Sequence, residues 1–303
     1  MNEIKSIMIL GLGAVGTVVA SKLADAGYEV DILCDRKRAE RYKKNNFIIN
    51  EKKYRFNYIT KEECTIKPDL VIIATKHYSL REAIVGLENI VGEDTIVMSL
   101  LNGIDSEEII SEVIGEESIV YSFIYQTDAT KVKNTTKFAS SGIIALGERA
   151  GEKSGSIMKI AELFDSADIK YDIKDDILKA MWWKYMVNIG LNQVSAVLRA
   201  PYGVFLRNDE IWSLAKRAML EAKDVAKRKE IFIDEDSDAQ VYTMLKNLHP
   251  EGKTSMFQDV EAKRKTEVEM LSGQLCRMGE DEGIETPVNK VLYEQLKAVE
   301  SMY

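Results

Sequence analysis

"ILGLGAVG", residues 9–16, decides the fold of the first half of the chain. It sets the spacing Gly11-x-Gly13-x-x-Gly16 directly behind the apolar run Ser6–Leu10. It also opens a helical stretch, Ala14–Ala26, with Gly27 as its stop. In that context each glycine has a physical task. The first permits a tight turn, the second lets backbone come close to a pyrophosphate, and the third lets the helix lie against the strand. The exposed N–H groups and the positive end of the helix dipole then hold the anion. The alternative is a tight turn with no ligand.

Outward from this loop, the first half alternates strand and helix signals, the pattern of a parallel sheet with crossover helices. Glu29–Cys34 reads as the second strand, and "FIINEKKYRFNYI" (47–59) as two β-rich runs around a charged turn, a small hairpin. "PDLVIIATK" (68–76) and "DTIVMSLLNGI" (94–104) read as buried strands, and "SIVYSFIY" (118–125) and "GIIALGE" (142–148) as late ones. Residues 127–141 read as a polar loop or an exposed edge. After Lys174 strand signals vanish, and apolar residues recur at helical spacing through 176–199, 209–230, 237–248 and 256–282. The predicted organisation is a dinucleotide-binding α/β domain over 1–173, then an all-helical domain over 174–303.

A length of 303 residues suits two domains. With 46% hydrophobic and 30% charged residues, the composition is that of an ordinary globular protein with ample core. A net charge of −8 argues against a nucleic-acid or anionic-membrane partner. No apolar run reaches the length of a membrane span, and "MNEIKSIMIL" carries an acidic residue and no cleavable signal pattern. The cysteines Cys34, Cys64 and Cys276 are odd in number and far apart, which reads as reduced thiols of a cytoplasmic protein. His77 and His249 are the only histidines, too few for a histidine metal site or a His-centred triad, so no metal is expected.

Several polar residues stand where such a fold binds ligands. Asp35 lies 19 residues past Gly16, where a carboxylate holds the ribose hydroxyls of NAD. Arg36, Lys37 and Arg38 follow at once, and Arg36 suits the 2′-phosphate of NADP. The cations tip the expectation to NADP(H), with NAD(H) as the alternative. Lys76 and Asn102 follow apolar strands at the ligand-binding edge of the sheet. The plain alternatives are a lysine in a following helix's first turn and an Asn-Gly turn, and His77 reads as a loop residue.

In the second half, "WWKYMVNIGLNQVSAVL" (182–198) puts Lys184, Asn188 and Asn192 at every fourth position of an apolar helix. They drift only about 40° per step and so share one face. This thin polar stripe is either a water-facing edge, extended by Ser195, or the wall of a cavity. Asparagine is a poor helix former, which speaks for the wall. "TSMFQDVEAKRKTEVEMLSG" (254–273) has Gln258 three residues after Ser255, a capping box that also presents a hydroxyl and free N–H groups to a carboxylate. Arg264 and Glu267, three apart, read as a surface pair.

Taken in order, these motifs resemble the ketopantoate reductase (2-dehydropantoate 2-reductase) family over nearly the whole chain. The resemblance is carried by the glycine loop, Lys76 ending a strand, Asn102-Gly103, and Trp183-Lys184-x-x-x-Asn188-x-x-x-Asn192. "SMFQDVEAKRKTEVEMLSG" and "GIETPVN" (283–289) complete it. It implies a Rossmann-type N-terminal domain and an all-α C-terminal domain of the 6-phosphogluconate-dehydrogenase-like kind. It further implies reduction of ketopantoate to pantoate with NADPH, on the route to pantothenate and coenzyme A.

By motif, it implies that the backbone of Gly11, Leu12, Gly13, Ala14, Val15 and Gly16 holds the pyrophosphate. Arg36, Lys76 and Asn102 become cofactor contacts, with Asn102 also near the substrate. Lys184 resembles the proton donor, Asn188 and Asn192 the substrate-binding asparagines, and Ser255 the residue on the substrate carboxylate. Glu267 resembles the carboxylate that orders the site beside the nicotinamide and Lys184. The stripe would then line the cleft between the domains.

Three departures stand out. Gln193-Val194-Ser195 replaces a Pro-Thr continuation common in the family, Tyr202 falls where some members carry a substrate-side Asn, and 127–141 lacks the family's His and Gly signature. The implied chemistry asks the protein to position, polarise and protonate while the cofactor supplies hydride. The expected partner is a small-molecule 2-oxo acid, with no nucleic acid and no membrane; a homodimer is compatible with this. The alternatives are a reductase of a different 2-oxo acid on the same scaffold and a non-catalytic NADP-binding redox sensor.

Overall fold

The structure is a computed structural model describing residues 3–149 and 155–303; Met1 and Asn2, on which the signal-free reading begins, lie outside them. It divides into two compact units, Met1–Ile177 and Leu178–Tyr303.

The first unit carries strands β1 (Ile7–Leu10), β2 (Val30–Leu33), β3 (Phe47–Ile49), β4 (Lys52–Tyr54), β5 (Asn57–Ile59) and β6 (Leu70–Ile73). They are followed by β7 (Ile96–Ser99), β8 (Ile119–Thr127), β9 (Thr130–Val132), β10 (Thr135–Lys137), β11 (Ser141–Gly147) and β12 (Tyr171–Ile173). Helices α1 (Ala14–Asp25), α2 (Arg36–Lys44), α3 (Leu80–Ile84), α4 (Ser106–Ile114) and α5 (Gly155–Ser166) connect them. The main sheet has the order β12-β11-β8-β7-β6-β1-β2-β5. From β5 through β8 neighbours run parallel, while β11 turns back against β8. The strands IMIL, LVII and IVMS are buried at every position, as a parallel sheet covered on both faces requires. Chain order reverses at β1, which pairs with β2 on one side and β6 on the other, so a ligand crevice opens beyond the ends of β1 and β6.

The second sheet, β4-β3-β10-β9, corrects part of the sequence reading. The hairpin in 47–59 forms as β3 and β4, turning at Asn50 and Glu51 with φ of 43° and 69°, but Asn57–Ile59 leaves it for the edge of the main sheet. Segment 127–141 is strand rather than loop, with β9 at the exposed edge of this sheet. It folds into the β9–β10 hairpin, and β10 pairs parallel with β3. Its threonines escape notice in sequence because their partner is distant: the buried Thr136 hydroxyl meets that of Thr17 on α1 at 2.8 Å.

The second unit is helical throughout its described residues. It comprises α6 (Ile177–Val187, with its first residue in the first unit), α7 (Gln193–Leu198), α8 (Tyr202–Arg207), α9 (Asp209–Arg228), α10 (Ser237–Lys246), α11 (Ser255–Glu261), α12 (Gln274–Glu282) and α13 (Pro287–Ser301). Two π turns, Asn188–Asn192 and Glu269–Gly273, interrupt it. The buried face of α9, with Ala215, Ala218, Met219 and Ala222, is small enough to receive the first π turn. Gly190 sits at that crossing, where an added Cβ would stand 2.5 Å from Met219 Cγ and 3.0 Å from the Ala215 carbonyl. Among the described residues no helix is long and apolar enough to cross a membrane.

Candidate functional site

The glycine loop follows β1 as expected, and its three glycines separate by cause. Gly11 has φ of +107°, and an added Cβ would stand 2.7 Å from the Ala74 carbonyl carbon, across the crevice after β6. At Gly16 a Cβ would lie 2.0 Å from the Gly11 oxygen. Protein packing therefore accounts for both. Gly13 differs: it is exposed, its φ of −71° and ψ of −163° suit any residue, and a Cβ would meet only the Ala74 oxygen at 3.6 Å. Neither conformation nor packing requires glycine there. The start of α1 carries no side-chain cap and no acidic residue in its first turn, so its N–H groups suit an anion. These features fit a dinucleotide pyrophosphate.

Beside the loop lies a cavity of about 500 Å³ lined by Gly11, Leu12, Cys34, Asp35, Arg36 and Lys61 among others. Asp35 caps α2 here, accepting from the Arg38 N–H at 2.8 Å, and its other oxygen is 3.3 Å from Arg38 Nε. The carboxylate placed to select NAD is thus engaged in holding a helix start, while the exposed Arg36 lines the same cavity. Burial, helped by the Asp35 charge, pushes the Cys34 thiol up to about 11, so it offers no reactive thiolate.

Lys76 is exposed just past β6, ahead of a short helical turn, and Asn102 is half-buried past β7. Gly103 has φ of +101°, so Asn102-Gly103 is the turn its sequence suggests. His77 does more than fill a loop: its Nε2 lies 2.9 Å from both oxygens of Asp105, joining the loop after β6 to the loop after β7. Between the end of β7 and the start of α4, the buried Ser99 and Ser106 hydroxyls meet at 2.8 Å, and Ser106 donates to the buried Glu107 at 2.8 Å. Burial raises the Glu107 carboxyl to about 7, against the Ser106 hydroxyl and nearby backbone bonds, which favour the charged form. None of these supports was visible in sequence, because each joins residues from separate loops or lies inside an otherwise apolar layer.

In the second unit Lys184, Asn188 and Asn192 are each half-exposed between buried neighbours, Tyr185, Met186, Ile189 and Leu191 among them. The π turn takes in about one residue more than an α turn. It brings Asn192 nearly over Asn188, so the stripe is straighter than an α-helix would make it. Ser195 does not extend it; fully buried, it donates to the Ala200 carbonyl at 2.6 Å. The fully buried Tyr185 donates to the carbonyls of Met270 and Leu271 at 3.2 and 2.7 Å, tying α6 to the second π turn.

The expected capping box is corrected. Thr254, not Ser255, caps α11, accepting from the Phe257 N–H at 3.2 Å, because Thr254 has the extended backbone a cap needs. Ser255 is the first helical residue and is exposed. Arg264 pairs with Asp259 at 2.8 Å. Glu267 is half-buried two residues before the second π turn, and α11 packs against α7 and the first π turn. Within this unit the candidate polar residues therefore fall on neighbouring elements.

Comparison with known proteins decides the family. The description "Ketopantoate reductase PanE/ApbA" matches residues 7–151, and its C-terminal counterpart matches 176–300. The chain belongs to the ketopantoate reductase family. It is 28% identical over 302 residues to the 2-dehydropantoate 2-reductase of Archaeoglobus fulgidus, covering 99% of each chain. It is 29% identical to that of Aquifex aeolicus, covering 98% of this chain and 97% of the other. In fold it is similar to a complex of D-mandelate dehydrogenase with NADH, with a TM-score of 0.88 at 23% identity and coverage of 98% and 99%. A 2-dehydropantoate 2-reductase from Methylococcus capsulatus gives a TM-score of 0.83 at 24% identity, covering 98% and 97%. An oxidoreductase is thereby established.

The rest of the ketopantoate reductase resemblance sorts into site and scaffold. Asn289 of "GIETPVN" is fully buried and donates to Glu221 at 2.7 Å, while Glu221 also accepts the Val288 and Asn289 N–H groups at the start of α13. That motif holds a helix rather than a ligand. Gln193, one of the departures, donates to Asn289 at 3.0 Å and is buried, so it leaves the stripe unchanged. Tyr202 is half-buried, and its ring stands 2.9 Å from where a Cβ on Gly252 would lie, three residues before Ser255.

Proposed function

We propose that this protein reduces 2-dehydropantoate to pantoate with NADPH, in the pantothenate and coenzyme A route of the cytoplasm. The first unit binds the dinucleotide and the second binds the substrate. Gly13 carries the reading: it is glycine where neither backbone nor packing demands it, as a close-lying pyrophosphate does. Arg36 favours the 2′-phosphate while Asp35 is engaged with α2. Lys76 and Asn102 contact the cofactor, and Asn102 also reaches the substrate.

When bound, the reduced nicotinamide supplies hydride to the ketone carbon. Lys184 bonds the ketone oxygen, stabilises the charge that develops on it and transfers its proton there. Asn188 and Asn192 offer donor and acceptor to the substrate's hydroxyl, Ser255 bonds its carboxylate, and Glu267 orders Lys184. A dimeric ketopantoate reductase is known from Staphylococcus aureus, and a homodimer is the assembly proposed for this chain.

The test is a spectrophotometric screen of NADPH and NADH oxidation against a panel of 2-oxo acids, ketopantoate included. Lys184→Ala should lower kcat by about 10²–10⁴. Near-normal turnover in that variant removes Lys184 from the mechanism, and a preference for NADH shows that Arg36 does not decide.

A second reading, a different 2-oxo acid as substrate, is favoured by Tyr202 and by the likeness to D-mandelate dehydrogenase. Ketopantoate against its analogue lacking the hydroxyl separates the two: loss of a paired buried hydroxyl costs about 1–3 kcal/mol in kcat/KM.

A further inference from the structure

The β9–β10 hairpin, read in sequence as a polar loop or an exposed edge, delivers a lysine to the glycine loop. Lys131 donates from Nζ to the carbonyl of Leu12, between Gly11 and Gly13, and its ammonium lies 4.8 Å from the centre of the Phe47 ring. The hairpin is pinned there by the Thr17–Thr136 contact, and Thr17 in turn donates to the Gly13 carbonyl at 2.8 Å. An ammonium has three N–H donors, and the Leu12 carbonyl takes one. A second positive charge acts on it from Arg41 on α2, whose guanidinium lies 5.0 Å from the centre of the Tyr42 ring, itself packed edge-on against Phe47 at 5.0 Å. Among the described residues neither cation has a carboxylate partner.

Burial first, and the Arg41 charge second, push the Lys131 ammonium down to about 8. Two like charges on adjoining rings, neither with a counter-ion and one of them half-buried, lack a partner that an anionic ligand would supply.

We propose that Lys131 is a further anion-binding residue of the dinucleotide site, its ammonium supplying positive charge to the pyrophosphate held by residues 11–16. This rests on the dinucleotide reading above. It assigns the hairpin a role in cofactor binding, and it commits to the pyrophosphate rather than the 2′-phosphate because the contact is with Leu12. Arg36 and Arg38 line the cavity at the α2 start.

The experiment is calorimetric titration of the full chain, wild type, Lys131→Met and Lys131→Arg, with NADPH, NADH and adenosine 2′-monophosphate. Met keeps the stem against Phe47, and melting temperatures check folding. Lys131→Met should weaken NADPH and NADH alike by roughly 10- to 100-fold and leave adenosine 2′-monophosphate unchanged. Lys131→Arg, which keeps the charge, should stay within about threefold of wild type. Because the bound anion favours the ammonium, wild-type affinity should fall up to about tenfold from pH 7 to pH 9. Arg41 is charged throughout that range and Phe47 carries no charge, so Lys131→Arg should be flat; Lys61, which also lines the cavity, is common to both proteins. Loss for NADPH alone, equal loss for all three ligands, no loss, or the same pH slope in Lys131→Arg each overturns the assignment. If wild type binds neither dinucleotide, the dinucleotide reading itself falls, a result distinct from every variant effect.

Discussion

The glycine loop and the polar stripe are both short segments to which the proposed function gives a role, yet they are built by opposite means. In the loop, backbone conformation sets much of the structure: Gly11 holds a positive φ and Gly16 abuts the Gly11 oxygen five residues away, and the one constraint from outside is the end of the neighbouring strand at Ala74. In the stripe, a π turn sets which polar groups share a face, and that turn packs on α9 through its own Gly190. Local structure answers to residue type, whereas the bulge answers to a helix far off in sequence. A site residue on the first kind of element is readable from spacing. On the second kind, spacing predicts the face only approximately.

The sharpest way to break this contrast lies inside the loop. Gly16→Ala should cost about 3 kcal/mol and abolish dinucleotide binding, since the new Cβ meets a backbone oxygen that no rotamer relieves. Gly13→Ala should leave stability unchanged or raise it by about 0.4–1 kcal/mol while affinity falls, because its backbone angles suit alanine. Denaturant melts and dinucleotide titration check both. Parallel losses in the two variants would erase the distinction between packing glycine and ligand glycine.

Next comes the buried start of α4. The folded-state carboxyl of Glu107 sits near 7, above its ordinary 4.5, so its contribution is fully present below about 4.5 and lost as pH rises through about 7. Wild type should lose up to about 3 kcal/mol over that window, and Glu107→Gln should flatten the slope and be the more stable protein above pH 7. Urea melts at half-unit pH steps decide it; identical slopes would show that Glu107 is not the titrating group.

In the stripe, Gly190→Ala should cost about 1–3 kcal/mol and lower kcat, because Met219 or α9 has to move and the asparagines move with the π turn. A stable variant with normal kinetics would show that the bulge does not set the stripe. The smallest effect separates neighbours at the start of α11. Thr254→Ala should cost about 1 kcal/mol as a lost cap. Ser255→Ala, at the exposed first helical position, should change stability by less than about 0.5 kcal/mol and act on KM instead. Equal stability losses would return Ser255 to a structural role.

How much was legible follows from the same physics. The strand–loop–helix order, the helical second half and the stripe's face all rest on period and spacing, which a chain displays without folding. The capping residue shifted by one because the cap is chosen by backbone angles as well as by residue type. Ser195 reads as polar and therefore outward, but a hydroxyl with a carbonyl at 2.6 Å is content in the core. Lys131, Glu221 and the His77–Asp105 pair carry no sequence pattern at all, since their partners come from other elements.

By itself the sequence determined the parallel sheet, the place of the glycine loop at its carboxyl edge and the family, because residue size, charge and period act along the chain. Only the tertiary structure decided that a π turn straightens the stripe and that a hairpin lysine reaches the glycine loop. Those outcomes depend on which distant backbone atoms arrive within bonding distance, and no stretch of chain encodes that alone.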